Sequence, residues 1–230
     1  MWLNQKLTSD TAIKTYRKSL KCTCPKHVVI DGLFNHIRLD QVIQILQQPH
    51  NWQTQKHTYS ALYVDDNKWL EADKEERFVQ RDLWQRPDNC FSADNNIAQQ
   101  FLSYLRSEDF LSVLSAIFNV KLTDINVANP PINTNYFRLS PNDFVSEHAD
   151  DSPGREVCLL LYLNPNWKEN TGGELVFSGK NNQSIYIPPL HNRCVLFDPA
   201  SEGSEHWVNQ VTSKFGDNYR YNVTSWYWRE

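Results

Sequence analysis

The chain has 230 residues, enough for one domain with a sizeable core or for two small ones. Hydrophobic residues make up 40% and aromatic residues 13%, which excludes an intrinsically disordered chain. A net charge of −4 argues against a protein that lives on nucleic-acid backbone contacts, and no apolar run approaches the roughly 18 residues of a membrane span.

The first residues, MWLNQKLTSDTAIK, lack the apolar stretch of a secretory signal. The five cysteines are odd in number, so reduced thiols in a cytoplasmic protein are the economical reading. Cys22 and Cys24 stand too close for a zinc knuckle and have no second pair, while Cys158 and Cys194 sit in apolar segments that suit a core. Residues 33–48, LFNHIRLDQVIQILQQ, place Leu39, Val42, Ile43 and Leu46 on one helical stripe that ends at Pro49. TYSALYV, at 58–64, reads as a strand. The charged, Trp-bearing run 64–86 reads as a flap or surface segment, and 65–90 is a candidate substrate lid. Residues 93–118 carry apolar residues at three- and four-residue spacing, which predicts one or two helices.

After residue 122 the pattern changes. TNYFRLS, DFVSEHA, EVCLLLYLN, ELVFS, SIYIP, CVLFD, HWVNQV and RYNVTSWYW follow one another as short β-rich segments with Pro, Asn, Gly or Asp between them. Such spacing predicts a sandwich or barrel. The expected architecture is α+β with a mainly β core, in one domain over 1–230. Residues 1–121 would form a helical or mixed buttress and 122–230 the β core.

His148 and Asp150 lie two apart, so they share a face if strand geometry persists. An imidazole and a carboxylate suit a divalent first-row metal, and two His plus one carboxylate leave positions open for non-heme Fe(II) oxygen chemistry. The third ligand must come from the other histidines. His27, His36, His50 and His57 lie in the helical half, and His191 sits in a tight connection. His206 opens a strand-like segment and alternates with Val208, which would set an apolar wall beside it. In RYNVTSWYW, Arg220, Asn222, Thr224, Trp226 and Trp228 share one face. An arginine there can clamp a carboxylate with two parallel hydrogen bonds, and Thr224 can add a hydroxyl. Leu160 and Tyr162 share a face on their own segment, so Tyr162 can bring a second hydroxyl.

Taken together, H-x-D, LYLNPNW…TGGELVF, IPPLHNRCVLF, H-W-V and RYNVTSWYW resemble the prolyl 4-hydroxylase-like branch of the Fe(II)/2-oxoglutarate-dependent dioxygenases, over about residues 132–229. The resemblance implies a double-stranded β-helix, or jelly roll. It implies Fe(II) on His148, Asp150 and His206, and 2-oxoglutarate on Arg220 with Tyr162 and Thr224. Leu160, Val208 and Trp226 would line the co-substrate site. O2 is the oxidant and ascorbate a supporting reductant. The acceptor would be a prolyl residue of a protein or peptide, with a free amino acid or small metabolite as the alternative. A catalytically silent jelly-roll binding module is a further reading that the intact ligand set opposes. No nucleic-acid or membrane partner is implied. The sequence departs from the family's Tyr-x-x-Gly-Asp at LSPND, with Leu139 and Asn142 in place of Tyr and Gly, and Tyr136 nearby. SKFGDN, with a turn at Gly216, looks like a hairpin insertion before Arg220.

Overall fold

The computed structural model describes residues 1–86, 96–125, 127–181, 183–212 and 219–230. The end of the lid candidate, Cys90, the start of the 93–118 stretch and the SKFGDN turn lie outside the described residues. The strands are β1 (His27–Asp31), β2 (Trp52–Thr58), β3 (Arg77–Trp84), β4 (Leu122–Thr123), β5 (Thr134–Leu139), β6 (Phe144–His148), β7 (Arg155–Tyr162), β8 (Leu175–Phe177), β9 (Ile185–Ile187), β10 (Arg193–Phe197), β11 (His206–Val208) and β12 (Arg220–Arg229). The helices are α1 (Asp10–Cys22), α2 (His36–Leu46), α3 (Asp66–Glu71), α4 (Ile97–Tyr104) and α5 (Glu108–Phe118).

The strands form one curled antiparallel sheet in the order β1-β10-β7-β12-β5-β3-β6-β11-β8-β9, with β2 on β3 and β4 on β12. This is the expected jelly-roll core with helices on one side. Its logic is visible in β7, where every residue from Val157 to Tyr162 is buried. An unbroken apolar strand is covered on both faces. Val157, Leu159 and Leu161 join the core shared with α2, α4 and α5, whereas Cys158, Leu160 and Tyr162 join a separate cluster with Phe177, Val195 and Phe197. β12 divides the same way. Tyr221, Val223 and Tyr227 pack on the helix side, and Arg220, Asn222, Thr224 and Trp226 line a cavity on the other.

The stripe Leu39, Val42, Ile43 and Leu46 of α2 is buried as expected, and the Asn35 side chain caps that helix by accepting from the Arg38 N–H. Residues 93–118 resolve into α4 and α5. Ser107 caps α5, whose first turn carries Glu108 and Asp109 against the positive helix end.

Three expectations for the first half require correction. The strand placed at 58–64 lies earlier, over 52–58, and residues 59–64 form a turn. The run read as a surface flap contains β3, an internal strand of the sheet between β5 and β6. Its charge misleads because its charged residues find partners. Asp82 pairs with Arg138 at 2.9 Å, and Arg81 stacks on Phe137 with its Cζ 3.5 Å from the ring centroid. Residues before 122 are also more than a buttress, since they supply β1, β2 and β3 to the sheet. Among the described residues no helix is long and apolar enough to cross a membrane.

Candidate active site

A cavity of about 580 Å³ opens on the concave side of the sheet. Sheet register brings two histidines together, because His206 of β11 pairs directly with His148 of β6. Their ring centroids are 4.4 Å apart. Asp150 follows β6 by two residues and lies 3.9 Å from His148 Nε2 and 3.8 Å from His206 Nε2. One ligand atom from each of the three lies within 4.8 Å of the others. Two metal–ligand bonds of about 2.1 Å each span at most about 4.2 Å, so the pairs to Asp150 are at metal-bridging distance.

The ring orientations suit ligation. His148 Nδ1 lies 2.9 Å from the Ser146 carbonyl, and His206 Nδ1 lies 2.9 Å from the Ser204 carbonyl. A carbonyl only accepts, so each Nδ1 carries the proton and each Nε2 presents its lone pair. Burial, reinforced by His148, pulls the pKa of His206 down to about 4, which keeps the ring neutral. Burial would raise Asp150, but His206, His148, a hydrogen bond from Trp226 and the charge of Arg155 outweigh it and hold the carboxyl below its usual range. A charged carboxylate between neutral imidazoles is the donor set that a first-row divalent ion takes.

Three side chains hold Asp150. Trp226 Nε1–H donates to Oδ2 at 2.9 Å. Cys158 Sγ–H lies 3.6 Å from the same oxygen. Arg155 donates to the Asp150 carbonyl and stacks against Trp226 and Trp228. Trp226, expected beside the co-substrate, thus makes its hydrogen bond to the metal-site carboxylate. Asp151 is exposed and stands outside the cluster.

Arg220 lies deep in the cavity and is 3% exposed. Its Nε donates to the Gly173 carbonyl at 2.8 Å and its Nη1 to Asn222 Oδ1 at 2.7 Å. Asn222 Nδ2 in turn donates to Thr224 Oγ1 at 2.9 Å. The chain Arg220–Asn222–Thr224 runs along one face of β12, and the rest of the guanidinium fork is left for a ligand. Gly173 has φ +81°, and a Cβ there would come within 3.2 Å of Arg220 Cδ, so this position admits no side chain without displacing the arginine. Tyr162 stands one step behind the cavity, with its ring centroid 4.9 Å from Arg220 Cζ. Its hydroxyl is buried beside the Arg220 guanidinium, which interacts with it without a well-formed hydrogen bond. Burial raises its pKa to about 12 despite Arg220. A buried phenol beside an arginine fork fits a carboxylate. Leu160 and Val208 line the same cavity with apolar side chains.

Tyr136 does not substitute for the Tyr missing from LSPND. Its hydroxyl points away, donating to the Ala98 carbonyl at 2.8 Å, and Leu139 lines the cavity instead. Sequence reading missed Asn222 as a link, Gly173 as a seat for Arg220, and the β2–β3 residues His57, Phe78 and Arg81. The doublet Gly172-Gly173 was the available signal for the seat. Of the lid candidate, β3 forms cavity wall, while the exposed Tyr59, Leu62 and Tyr63 stand at the mouth.

Residues 134–228 match the sequence model of the 2OG-Fe(II) oxygenase superfamily. The matched segment contains all three members of the His–Asp–His group, so sequence match and site geometry agree over these residues. More particularly, the chain is 30% identical over 135 residues to the prolyl 3-hydroxylase OGFOD1 of Xenopus laevis, covering 55% of this chain and 24% of that one. It is 26% identical over 168 residues to the same enzyme of Mus musculus, covering 69% and 28%. The chain thus spans about a quarter of the length of the curated relatives it matches. Its fold is similar to a prolyl hydroxylase of Trichoplax adhaerens solved in complex with a hypoxia inducible factor oxygen degradation domain peptide. There the TM-score is 0.68 at 19% identity, over 98% of this chain and 91% of that one.

Proposed function

We propose that this chain is an Fe(II)- and 2-oxoglutarate-dependent hydroxylase acting on a prolyl residue of a protein or peptide. The observation that carries the reading is the convergence of His148, Asp150, His206 and Arg220 in one cavity. In this reading His148, Asp150 and His206 hold the iron, and Arg220 holds the distal carboxylate of 2-oxoglutarate. Tyr162 and Thr224 add hydroxyls to that carboxylate, while Leu160 and Val208 keep the site dry. The bound group supplies the oxidising chemistry: 2-oxoglutarate and O2 become succinate and CO2, and one oxygen atom enters a C–H bond of the acceptor.

The protein's own part is orientation. The two Nδ1–H···O=C bonds fix both imidazoles, and Trp226 and Arg155 fix the carboxylate between them. The Gly173–Arg220–Asn222–Thr224 chain fixes the fork before the co-substrate arrives, so little order is lost on binding. The names of the relatives and the peptide in the Trichoplax adhaerens complex support a polypeptide acceptor. The exposed Tyr59, Leu62 and Tyr63 at the mouth are apolar contact surface for such a chain. We further propose that residues 1–230 work as one oxygenase domain, supported by the pairing of β1 with β10 and of β3 with β5 and β6. A cytoplasmic setting is consistent with free Cys22, Cys24, Cys158 and Cys194.

The test is succinate formation from 2-oxoglutarate by the Fe(II)-loaded protein in the presence of O2, ascorbate and prolyl peptides. Turnover that His148→Ala abolishes is the expected result. Absence of turnover across the peptide pool, with no 2-oxoglutarate binding, refutes the reading.

A further inference from the structure

The cavity holds a cation, Arg81, that the oxygenase chemistry gives no role. Arg81 projects from β3 into the cavity. Its Nε is buried and has no hydrogen-bond partner among the described residues. The neighbouring carboxylate, Asp82, is already taken by Arg138 and by Thr54. The guanidinium lies on the Phe137 ring, which fixes its plane and leaves its N–H edge to the cavity. Burial, with the charge of Arg220 adding to it, pulls its pKa down to about 10 while Asp150 and Tyr63 act the other way, so it is charged at neutral pH. His57, on the adjoining strand β2, lines the same cavity with both ring nitrogens buried and unpartnered.

Charge balance separates this pair from the co-substrate site. The two charges of Fe(II) and that of Arg220 are matched by Asp150 and the two carboxylates of 2-oxoglutarate. Arg155 is bonded to the Asp150 carbonyl and lies 3.8 Å from its carboxylate, and its Nε is likewise buried without a hydrogen-bond partner among the described residues. Arg81, like Arg155, is then a positive charge in excess of the carboxylates counted, and a partly buried cation favours a counter-charge. It stands on another strand from Arg220, although the two charges sense one another across the cavity. Arg220, Asn222 and Thr224 lie along β12, whereas Arg81 lies on β3 with Phe78, whose ring is 5.9 Å from that of His148. His57 packs on Tyr63 at the mouth, with ring centroids 4.7 Å apart. In the oxygenase reading, an acceptor entering at Tyr63 would pass these residues.

We propose that Arg81 and His57 form a second anion site, which takes a carboxylate carried by the acceptor. The carboxylate is an acidic side chain beside the hydroxylated residue of a peptide, or the α-carboxylate of a free amino acid. A planar fork plus an imidazole gives parallel hydrogen bonds to two carboxylate oxygens, and an amide offers only one acceptor oxygen in return. The inference rests on the oxygenase reading of the cavity.

The experiment measures binding to the Fe(II)-loaded protein held anaerobically with 2-oxoglutarate. The probes are acetylated, amidated proline pentapeptides with one Asp at each flanking position in turn, their Asn counterparts, free L-proline and L-prolinamide. Tryptophan fluorescence first establishes that 2-oxoglutarate binds; if it does not, the oxygenase reading itself fails. The expected result is an acid probe binding about tenfold or more tightly than its amide counterpart, a ratio that Arg81→Gln brings close to one. Preference within the peptides assigns the site to an acidic side chain, and preference for L-proline over L-prolinamide assigns it to a free carboxylate. If Arg81→Gln does not fold, Arg81→Lys replaces it, and the ratio is expected to fall several-fold because the planar fork is lost. With 2-oxoglutarate bound, three results overturn the inference alone: no acid preference in either arm, a preference that survives the substitution, or a substitution that weakens 2-oxoglutarate binding while the ratio stands.

Discussion

Replacing Gly173 with alanine tests whether the seat of Arg220 governs co-substrate binding. Gly173 sits at φ +81°, where an L-residue carries about 1–2 kcal/mol of backbone strain. For a chain of this size each kcal/mol lowers the melting temperature by about 2–4 °C, so a fall of about 2–8 °C is expected. Strain alone says nothing about the site. The added Cβ would also stand 3.2 Å from Arg220 Cδ, and the Gly173 carbonyl accepts the Arg220 Nε–H at 2.8 Å, so the guanidinium must shift or give up that bond. A loss of 1–2 kcal/mol at the fork corresponds to a factor of about 5–30 in the KM for 2-oxoglutarate. Gly154→Ala separates the two effects. That glycine has φ +77°, but its nearest neighbour would be Trp228 Cδ1 at 3.6 Å, far from the fork. It should lower the melting temperature to a similar degree with little change in KM. Melting curves and 2-oxoglutarate titrations on both variants decide the matter. A folded Gly173→Ala protein whose KM stays within about twofold of the parent would refute the reasoning.

Two further outcomes follow from the same site. His57 and His206 both have pKa values pulled by burial from 6.5 to about 4. The unfolded chain therefore binds more protons than the folded one between these values, and stability of the metal-free protein falls as pH drops from about 6.5 toward 4. The gap, at about 1.4 kcal/mol per pH unit, amounts to about 3 kcal/mol for each residue. Urea unfolding of the metal-free protein at a series of pH values measures it, and a flat profile across that window contradicts the assignment. Trp226→Phe removes the N–H that donates to Asp150 Oδ2 but keeps an aromatic ring. Loss of such a ligand-orienting bond should weaken Fe(II) binding about 10–100-fold in a direct metal titration, and unaltered affinity would mean that Arg155 and Cys158 suffice to hold the carboxylate.

The β half was legible because its physics is local. Alternation, turn residues between short apolar segments, and the two-residue spacing of His148 and Asp150 all survive into the fold. Facing of His148 and His206 was also within reach, since both sit on short strands of one sheet. The first half was harder. Helix α1 fully buries only Leu20, with Ile13 and Tyr16 packed in part against the core. β2 pairs only with β3 among the described strands and carries mostly polar residues. β3 resembles a surface segment because its charges are answered by residues remote in sequence, Asp82 by Arg138 and Arg81 by Phe137. The Trp226–Asp150 bond joins residues 76 apart, and no spacing rule anticipates it.

The division of β7 and β12 into two faces makes the helix layer an indexing device for the chemistry. Tyr221 and Val223 are locked among the side chains of α2, α4 and α5, and each lies between two residues of the cavity wall. A slip of one position in β12 would send Arg220 into hydrocarbon and bring Tyr221 and Val223 to the place where a carboxylate is to be held. Thr224 opposite Leu160 and Asn222 opposite Tyr162 would be lost together. The greasy side of the sheet thus sets the phase of the polar side, and residues that never approach the His–Asp–His group decide which atoms face it.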